Sequence, residues 1–101
     1  MIAYIKSNEG NRFVKIDDIT RFLHISARHL NRICMETRQK TVRVILDEER
    51  LRYIRELLST TGYTLHEIAF LSGFSSEQSL IRFFHRKEGY TPTQYRRYIL
   101  K

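Results

Sequence analysis

The sequence has few of the residues that cross-link, break or bend a chain. It contains one cysteine, one proline, four glycines and no tryptophan in 101 residues. A single cysteine, Cys34, excludes an internal disulfide framework and suits a reducing cytoplasm. No apolar run approaches the ~20 residues of a membrane span, and the first residues do not form a signal peptide. We therefore expect a folded cytoplasmic protein with no membrane association.

The patterns of catalysis and metal binding are also missing. No glycine-rich phosphate loop or catalytic constellation is present, and the four histidines lack the spacing of metal ligands (His24, His29, His66 and His85). We expect no enzyme activity, cofactor or metal. Cys34 falls on the apolar side of a predicted helix, so a small buried hydrophobe is favoured over a redox sensor.

Positive charge is abundant instead. Eighteen lysines and arginines face eleven aspartates and glutamates, which gives a formal net charge of +7. Residues 1–50 hold ten basic and seven acidic groups, and residues 51–101 hold eight and four. The excess is spread over both halves and indicates an anionic partner: nucleic acid first, an acidic membrane surface second. Charge alone leaves DNA-binding and RNA-binding functions open.

Residues 64–95 are the most clearly organised stretch. Thr64 and Glu67 predict a capping box at a helix start, and Gly73 marks a turn. A second cap is predicted at Ser75, and Gly89 can end the helix that follows. Two short helices joined by a glycine-containing turn make a helix-turn-helix. Thr91 and Pro92 then predict a last helix that reaches about residue 100.

An earlier part of the chain repeats this pattern. VKIDDITRFLHIS (14–26) aligns with YTLHEIAFLSGFS (63–75) at an offset of 49, and the offset becomes 50 afterwards. The repeat predicts a second helix from Ala27 to Arg38 with Ser26 as its N-cap. Its predicted buried residues are Leu30, Ile33 and Cys34.

A long helix is predicted between the two copies, from a cap at Thr41 to about Leu58. Its solvated side is expected to carry Glu49 and an ion pair between Glu48 and Arg52. The fold class is therefore all-α, with about seven helices: two helix-turn-helix subdomains joined by a linker helix (1–40, 41–59 and 60–101). A short first helix is expected at residues 2–8.

Several of these residues occur together in one known family. The chain resembles the DNA-binding domain of the AraC/XylS transcription regulators at Glu67-Ile68-Ala69, Gly73-Phe74-Ser75, Arg82, Phe84, Gly89, Thr91-Pro92 and Tyr95-Arg96. It departs from the family's usual residues at Thr20, His24, Cys34, Gln39 and Ser79-Leu80. His24 and Gln39 stand where the family has glycine, so the first copy is the less typical one.

The resemblance implies sequence-specific binding of double-stranded DNA and regulation of bacterial transcription. Helices 27–38 and 76–88 would enter adjacent major-groove segments. The resemblance also implies contact with RNA polymerase, and an effector or dimerisation domain that usually precedes this one and is not in this chain.

Side-chain chemistry and the resemblance together give a set of candidate contacts. Arginine can grip guanine and asparagine can grip adenine. The predicted base-facing residues are Arg28, Asn31, Arg32, Gln78, Ser79, Ile81 and Arg82. Weaker phosphate contacts are predicted at Ser26, Thr41, Arg43, Ser76, His85 and Arg96, where Arg96 could equally serve packing.

Two other functions stay open. Glu77 is acidic and Ile81 apolar where a DNA face is usually basic or polar, so the second copy could dock on a protein partner instead. An RNA-binding protein is weakly supported, because no aromatic stacking platform is evident.

Overall fold

The computed structural model describes residues 15–99, with side chains through Tyr98, and the predicted helix at 2–8 lies outside them. Within residues 15–99 the protein is helical and contains no strand, which confirms the all-α class. Six α-helices follow in order, the last running on as a π-helical turn: α1 Ile16–Leu23, α2 Ala27–Arg38, α3 Val42–Thr60, α4 Leu65–Leu71, α5 Glu77–Glu88, α6 Pro92–Gln94 and the turn Tyr95–Ile99.

Hydroxyl caps start five of these helices, and most of them were predicted. Each cap oxygen accepts a hydrogen bond from the backbone N–H three residues later, at Ser26, Thr41, Thr64, Ser76 and Thr91. Such a bond satisfies one of the N–H groups that a helix start leaves unpaired. The capping box of Thr64 and Glu67 is confirmed. The predicted cap at Ser75 is wrong, because the serine one residue later takes that place.

The two copies of the repeat have matching geometry. The first helices begin 49 residues apart, at Ile16 and Leu65, and the second helices begin 50 apart, at Ala27 and Glu77. Both second helices contain twelve residues. The shift in offset falls between the two helices of each copy, where residues 24–26 of the first copy correspond to residues 73–76 of the second.

The linker helix α3 belongs to two hydrophobic cores. Its first half supplies Val42, Ile45 and Leu46 to a core with Ile19, Leu30 and Cys34. Its second half supplies Leu51, Ile54, Leu57 and Leu58 to a core with Ile68, Ala69, Leu80, Phe83 and Phe84. Tyr53 packs against both cores. Within residues 15–99, each of the two cores includes residues of α3, so the linker is part of both subdomains.

Burial agrees with the prediction at Cys34 and differs at Ile33. Cys34 is buried, and desolvation raises the pKa of its thiol, partly offset by the positive charge of Arg38. The predicted burial of Ile33 is wrong: its side chain is 39% exposed. Cys34 and Leu30, four residues apart on α2, together form the stripe that meets the linker helix.

The charged side of the linker helix also differs from the prediction. Glu49 is buried, and its carboxylate lies 3.0 Å from the Arg52 guanidinium. Glu48 instead reaches back to the Lys40 ammonium at 2.9 Å. The predicted pair of Glu48 with Arg52 is therefore wrong, because a closer cation precedes the helix.

Polar contacts fix α5 against the linker helix. An Arg55 Nη1–H donates to Glu88 Oε2 at 2.6 Å, and the Lys87 ammonium lies 3.4 Å from the Asp47 carboxylate. None of the helices within residues 15–99 combines the length and the apolar character that crossing a bilayer requires.

Candidate nucleic-acid interface

The second helix of each copy presents exposed polar side chains at equivalent places. Arg28 and Arg32 are exposed on α2, and Gln78 and Arg82 are exposed on α5. Each pair is spaced by four residues and therefore shares one helix face. The pairs lie 50 residues apart in the sequence, as the repeat predicts. Both helices thus offer groups that can form two hydrogen bonds to a base edge.

Asn31 does not belong to this exposed set. Its side chain is half-buried, and its Oδ1 accepts a hydrogen bond from the Val42 backbone N–H at 2.9 Å. The prediction that it points outward is wrong, because this oxygen serves the first N–H of the linker helix. The second copy has Ile81 and Pro92 at the equivalent positions, and proline has no N–H to satisfy.

Ser79 and Ile81 are half-buried on α5. The Ser79 hydroxyl accepts a hydrogen bond from Ser76 Oγ at 3.0 Å and lies 3.5 Å from Arg82 Nη2. It is therefore placed to orient the Arg82 guanidinium over the first turns of the helix. Base contact by Ser79 and Ile81 remains a prediction.

The predicted phosphate contacts divide into two groups. Ser26, Thr41 and Ser76 use their hydroxyl oxygens as helix caps, so they lie at helix N-termini, where backbone N–H groups favour anions. Arg43 and His85 are exposed and able to reach an external group. Contact with phosphate at these five positions remains a prediction.

Arg96 makes packing contacts, one of the two roles predicted for it, and phosphate contact by this residue remains a prediction. Its guanidinium donates to three backbone carbonyl oxygens: Leu58 at 3.1 Å, Thr61 at 3.1 Å and Tyr63 at 2.8 Å. The last carbonyls of a helix have no partner within that helix. Arg96 thus closes the end of the linker helix and ties it to the C-terminal helix.

A basic pocket between the linker helix and α5 was missed by the sequence analysis. It has a volume of about 280 Å³ and is lined by Arg43, Asp47, Arg50, Phe74, Ser79, Arg82, Phe83 and Arg86. Its two basic residues that were not among the predicted contacts are Arg50 and Arg86. Helical spacing could have indicated them, since Arg43, Asp47 and Arg50 share one face of the linker, and Arg82 and Arg86 share one face of α5.

Known proteins with similar sequences are regulators. A family model described as a helix-turn-helix domain matches residues 19–98. The chain is 34% identical over 84 residues to the ornithine utilization regulator of Pseudomonas aeruginosa, covering 83% of this chain and 24% of that protein. It is 27% identical over 97 residues to the melibiose operon regulatory protein of Escherichia coli, covering 96% and 32%. The chain thus spans a quarter to a third of these relatives.

Solved structures agree with this assignment. The C-terminal domain of AraT, a response regulator from Geobacillus stearothermophilus, superposes with a TM-score of 0.84 at 26% identity, covering 95% of this chain and 79% of that one. The AdpA DNA-binding domain, solved in complex with a target DNA, shares the fold with a TM-score of 0.76 at 22% identity, covering 94% and 81%. The chain belongs to the AraC/XylS family of helix-turn-helix DNA-binding domains of transcription regulators.

Proposed function

We propose that this domain reads double-stranded DNA with α2 and α5, each in one of two successive major-groove segments. The observation that carries the proposal is the equivalence of Arg28 and Arg32 with Gln78 and Arg82. Each pair is exposed on a helix of the same length, opposite a buried face. Arginine and glutamine are side chains that can form bidentate contacts with guanine and adenine.

The dimensions of the molecule fit this placement. The longest principal extent is 41 Å, and one turn of DNA is about 34 Å. The linker helix has 19 residues, which at ~1.5 Å each gives a rod of about 28 Å. Both hairpins pack against this rod, so the two reading helices are held at a constant separation.

Phosphate contacts around the two helices would set the register of the domain on the duplex. In this placement the helix N-termini capped by Ser26 and Ser76 would lie beside the DNA backbone, and Arg43 and His85 would extend toward it. By analogy with its relatives, the domain regulates bacterial transcription through RNA polymerase in the cytoplasm. Since the relatives are three to four times longer, an effector or dimerisation domain accompanies this one in the same regulator.

The experiment selects binding sites from a random DNA pool and then compares Arg32→Ala with Arg82→Ala on the selected site and a scrambled one. Each substitution should cost about 1–3 kcal/mol on the selected site and relax preference at one or two base pairs. The two affected positions should lie about one helical turn apart. Circular dichroism and the thermal midpoint should be unchanged, because both side chains are exposed.

Two results would contradict the proposal in different ways. If Arg82→Ala has no effect or weakens both DNAs equally while Arg32→Ala abolishes preference, only the first hairpin reads sequence. The second hairpin would then be a candidate protein-docking module. If neither variant changes preference, the proposed reading helices are wrong.

A further inference from the structure

The residues that line the basic pocket between the linker helix and α5 carry an excess of positive charge. Four arginines and one aspartate line it, a formal charge of +3. The aspartate, Asp47, is already 3.4 Å from the Lys87 ammonium, so it is shared with a further cation. The volume of 280 Å³ is many times the ~30 Å³ that one water occupies. The pocket can therefore admit an anionic group.

Packing against aromatic rings holds two of the guanidinium groups in place. Arg50 lies 4.9 Å from the Phe74 ring centre and 5.9 Å from that of Phe83. Arg86 lies 5.9 Å from the same Phe83 ring. The Phe83 ring is buried and belongs to the second core. These arginines are thus placed before any ligand arrives, which lowers the entropy cost of binding.

The electrostatics of Arg50 favour an anionic ligand in this pocket. Burial lowers the pKa of its guanidinium, the negative charge of Asp47 partly offsets this, and the smaller effect of the Arg43 charge lowers the pKa again. An arginine remains protonated in a protein, so the desolvation of this group is a cost of the folded state. A bound anion would reduce that cost, and guanidinium groups match the geometry of phosphate oxygens.

We propose that this pocket holds one backbone phosphate of the DNA between the two reading helices, gripped by Arg43 and Arg50 of the linker and Arg86 of α5. The proposal rests on the proposed function and extends it, because the linker helix becomes a contact surface as well as a spacer. Arg82 also lines this pocket, so the phosphate would help to orient the base-reading side chains of α5. This contact carries no sequence information itself.

The test on DNA measures affinity against salt for Arg86→Ala, Arg86→Lys and Arg97→Ala. Losing one phosphate contact should reduce the slope of log affinity against log salt by about 1, with selected and scrambled sites weakened alike. Arg86→Lys should keep the slope and lose part of the affinity, because lysine keeps the positive charge but lacks the planar guanidinium group that can form two hydrogen bonds to a phosphate. Arg97→Ala removes the same charge outside the pocket and should change the slope less. Equal slopes for Arg86→Ala and Arg97→Ala would overturn the proposal.

A second measurement uses inorganic phosphate and no DNA. Titration of the free protein should shift the arginine Nε resonances of Arg43, Arg50 and Arg86 in nuclear magnetic resonance spectra and leave Arg97 unchanged. With DNA, a neutral methylphosphonate at a single backbone position should abolish the difference between the wild type and Arg86→Ala. If no such position exists while free phosphate binds, the pocket serves a free anion and the DNA contact is refuted. If the wild-type protein does not prefer the selected site to the scrambled one, the proposed function itself is refuted.

Discussion

Two residues of the first subdomain have a backbone conformation that suits glycine. His24 and Gln39 follow the helices α1 and α2, both with φ of 58°. In this left-handed region a side chain other than glycine crowds its own backbone, at a cost of about 1–2 kcal/mol. Gly89 occupies the place of Gln39 in the second copy, with φ of 86°. The same turn is therefore made with strain in one copy and without it in the other.

Exchanging these two residues should move stability in opposite directions. Gln39→Gly should raise the free energy of unfolding by about 0.5–1 kcal/mol, because relief of strain outweighs the entropy that glycine adds to the unfolded chain. Gly89→Gln should lower it by about 1–2 kcal/mol. A Cβ at Gly89 would meet no atom within 4 Å, so the cost is conformational rather than steric contact with neighbours. Urea denaturation of both variants measures the two changes, and destabilisation by Gln39→Gly would refute the explanation.

Prediction from the sequence succeeded at most local signals and failed at those that depend on packing, although the local signals for a cap at Ser75 and for a Glu48–Arg52 pair were misleading. The caps at Ser26, Thr41, Thr64 and Thr91 follow from a hydroxyl and the residues just after it. The repeat likewise gave the helices and the exposed arginines. The roles of Asn31, Arg96 and Arg50 depend on contacts with another helix. The sequence therefore placed Asn31 outward, left the role of Arg96 open between phosphate contact and packing, and did not single out Arg50 as a site residue.

At the scale of the helix, the start of the linker is stabilised differently from the start of α6. Asn31 accepts the Val42 N–H, whereas Pro92 at the equivalent position needs no acceptor. The residue at the corresponding position of the recognition helix also differs between the two copies: it is Asn31 on α2 and Ile81 on α5. Asn31 on α2 thus supplies the acceptor for the first backbone N–H of α3.

A double-mutant cycle tests this coupling. Asn31→Ala should lower the free energy of unfolding by about 1–2 kcal/mol, because it leaves a partly buried N–H without a partner. In the background of Val42→Pro the same substitution should cost about 1 kcal/mol less, since that N–H is gone. Asn31→Asp keeps an acceptor oxygen at a helix N-terminus and serves as the control with little loss. Equal costs of Asn31→Ala in both backgrounds would show that this hydrogen bond does not matter.

For the whole molecule, charge is the property that should govern binding. The net charge is +7, and the basic residues are divided between both halves of the chain. No single patch accounts for it, so phosphates along the whole footprint are expected to share in neutralisation.

The salt dependence of DNA binding measures how many phosphates the protein neutralises. If six to eight basic groups neutralise phosphates, log affinity should fall with log salt with a slope of about −5 to −7. The affinity can be measured by isothermal titration calorimetry or by fluorescence titration at salt concentrations between about 50 and 200 mM. A slope shallower than about −2 would refute DNA as the main partner and favour a protein.

The sharing of the linker helix by two cores has a consequence for synthesis on the ribosome. The buried residues described for the first core end at Leu46, whereas those of the second core extend to Phe84. Chains emerge from their N-termini at about 5–20 residues per second, so the first core can close several seconds before the second exists. During that interval Leu51, Ile54, Leu57 and Leu58 form an uncovered apolar stripe on the growing chain. The nascent domain is therefore most vulnerable to aggregation midway through its translation, while the leucine-rich half of its linker awaits Phe83 and Phe84.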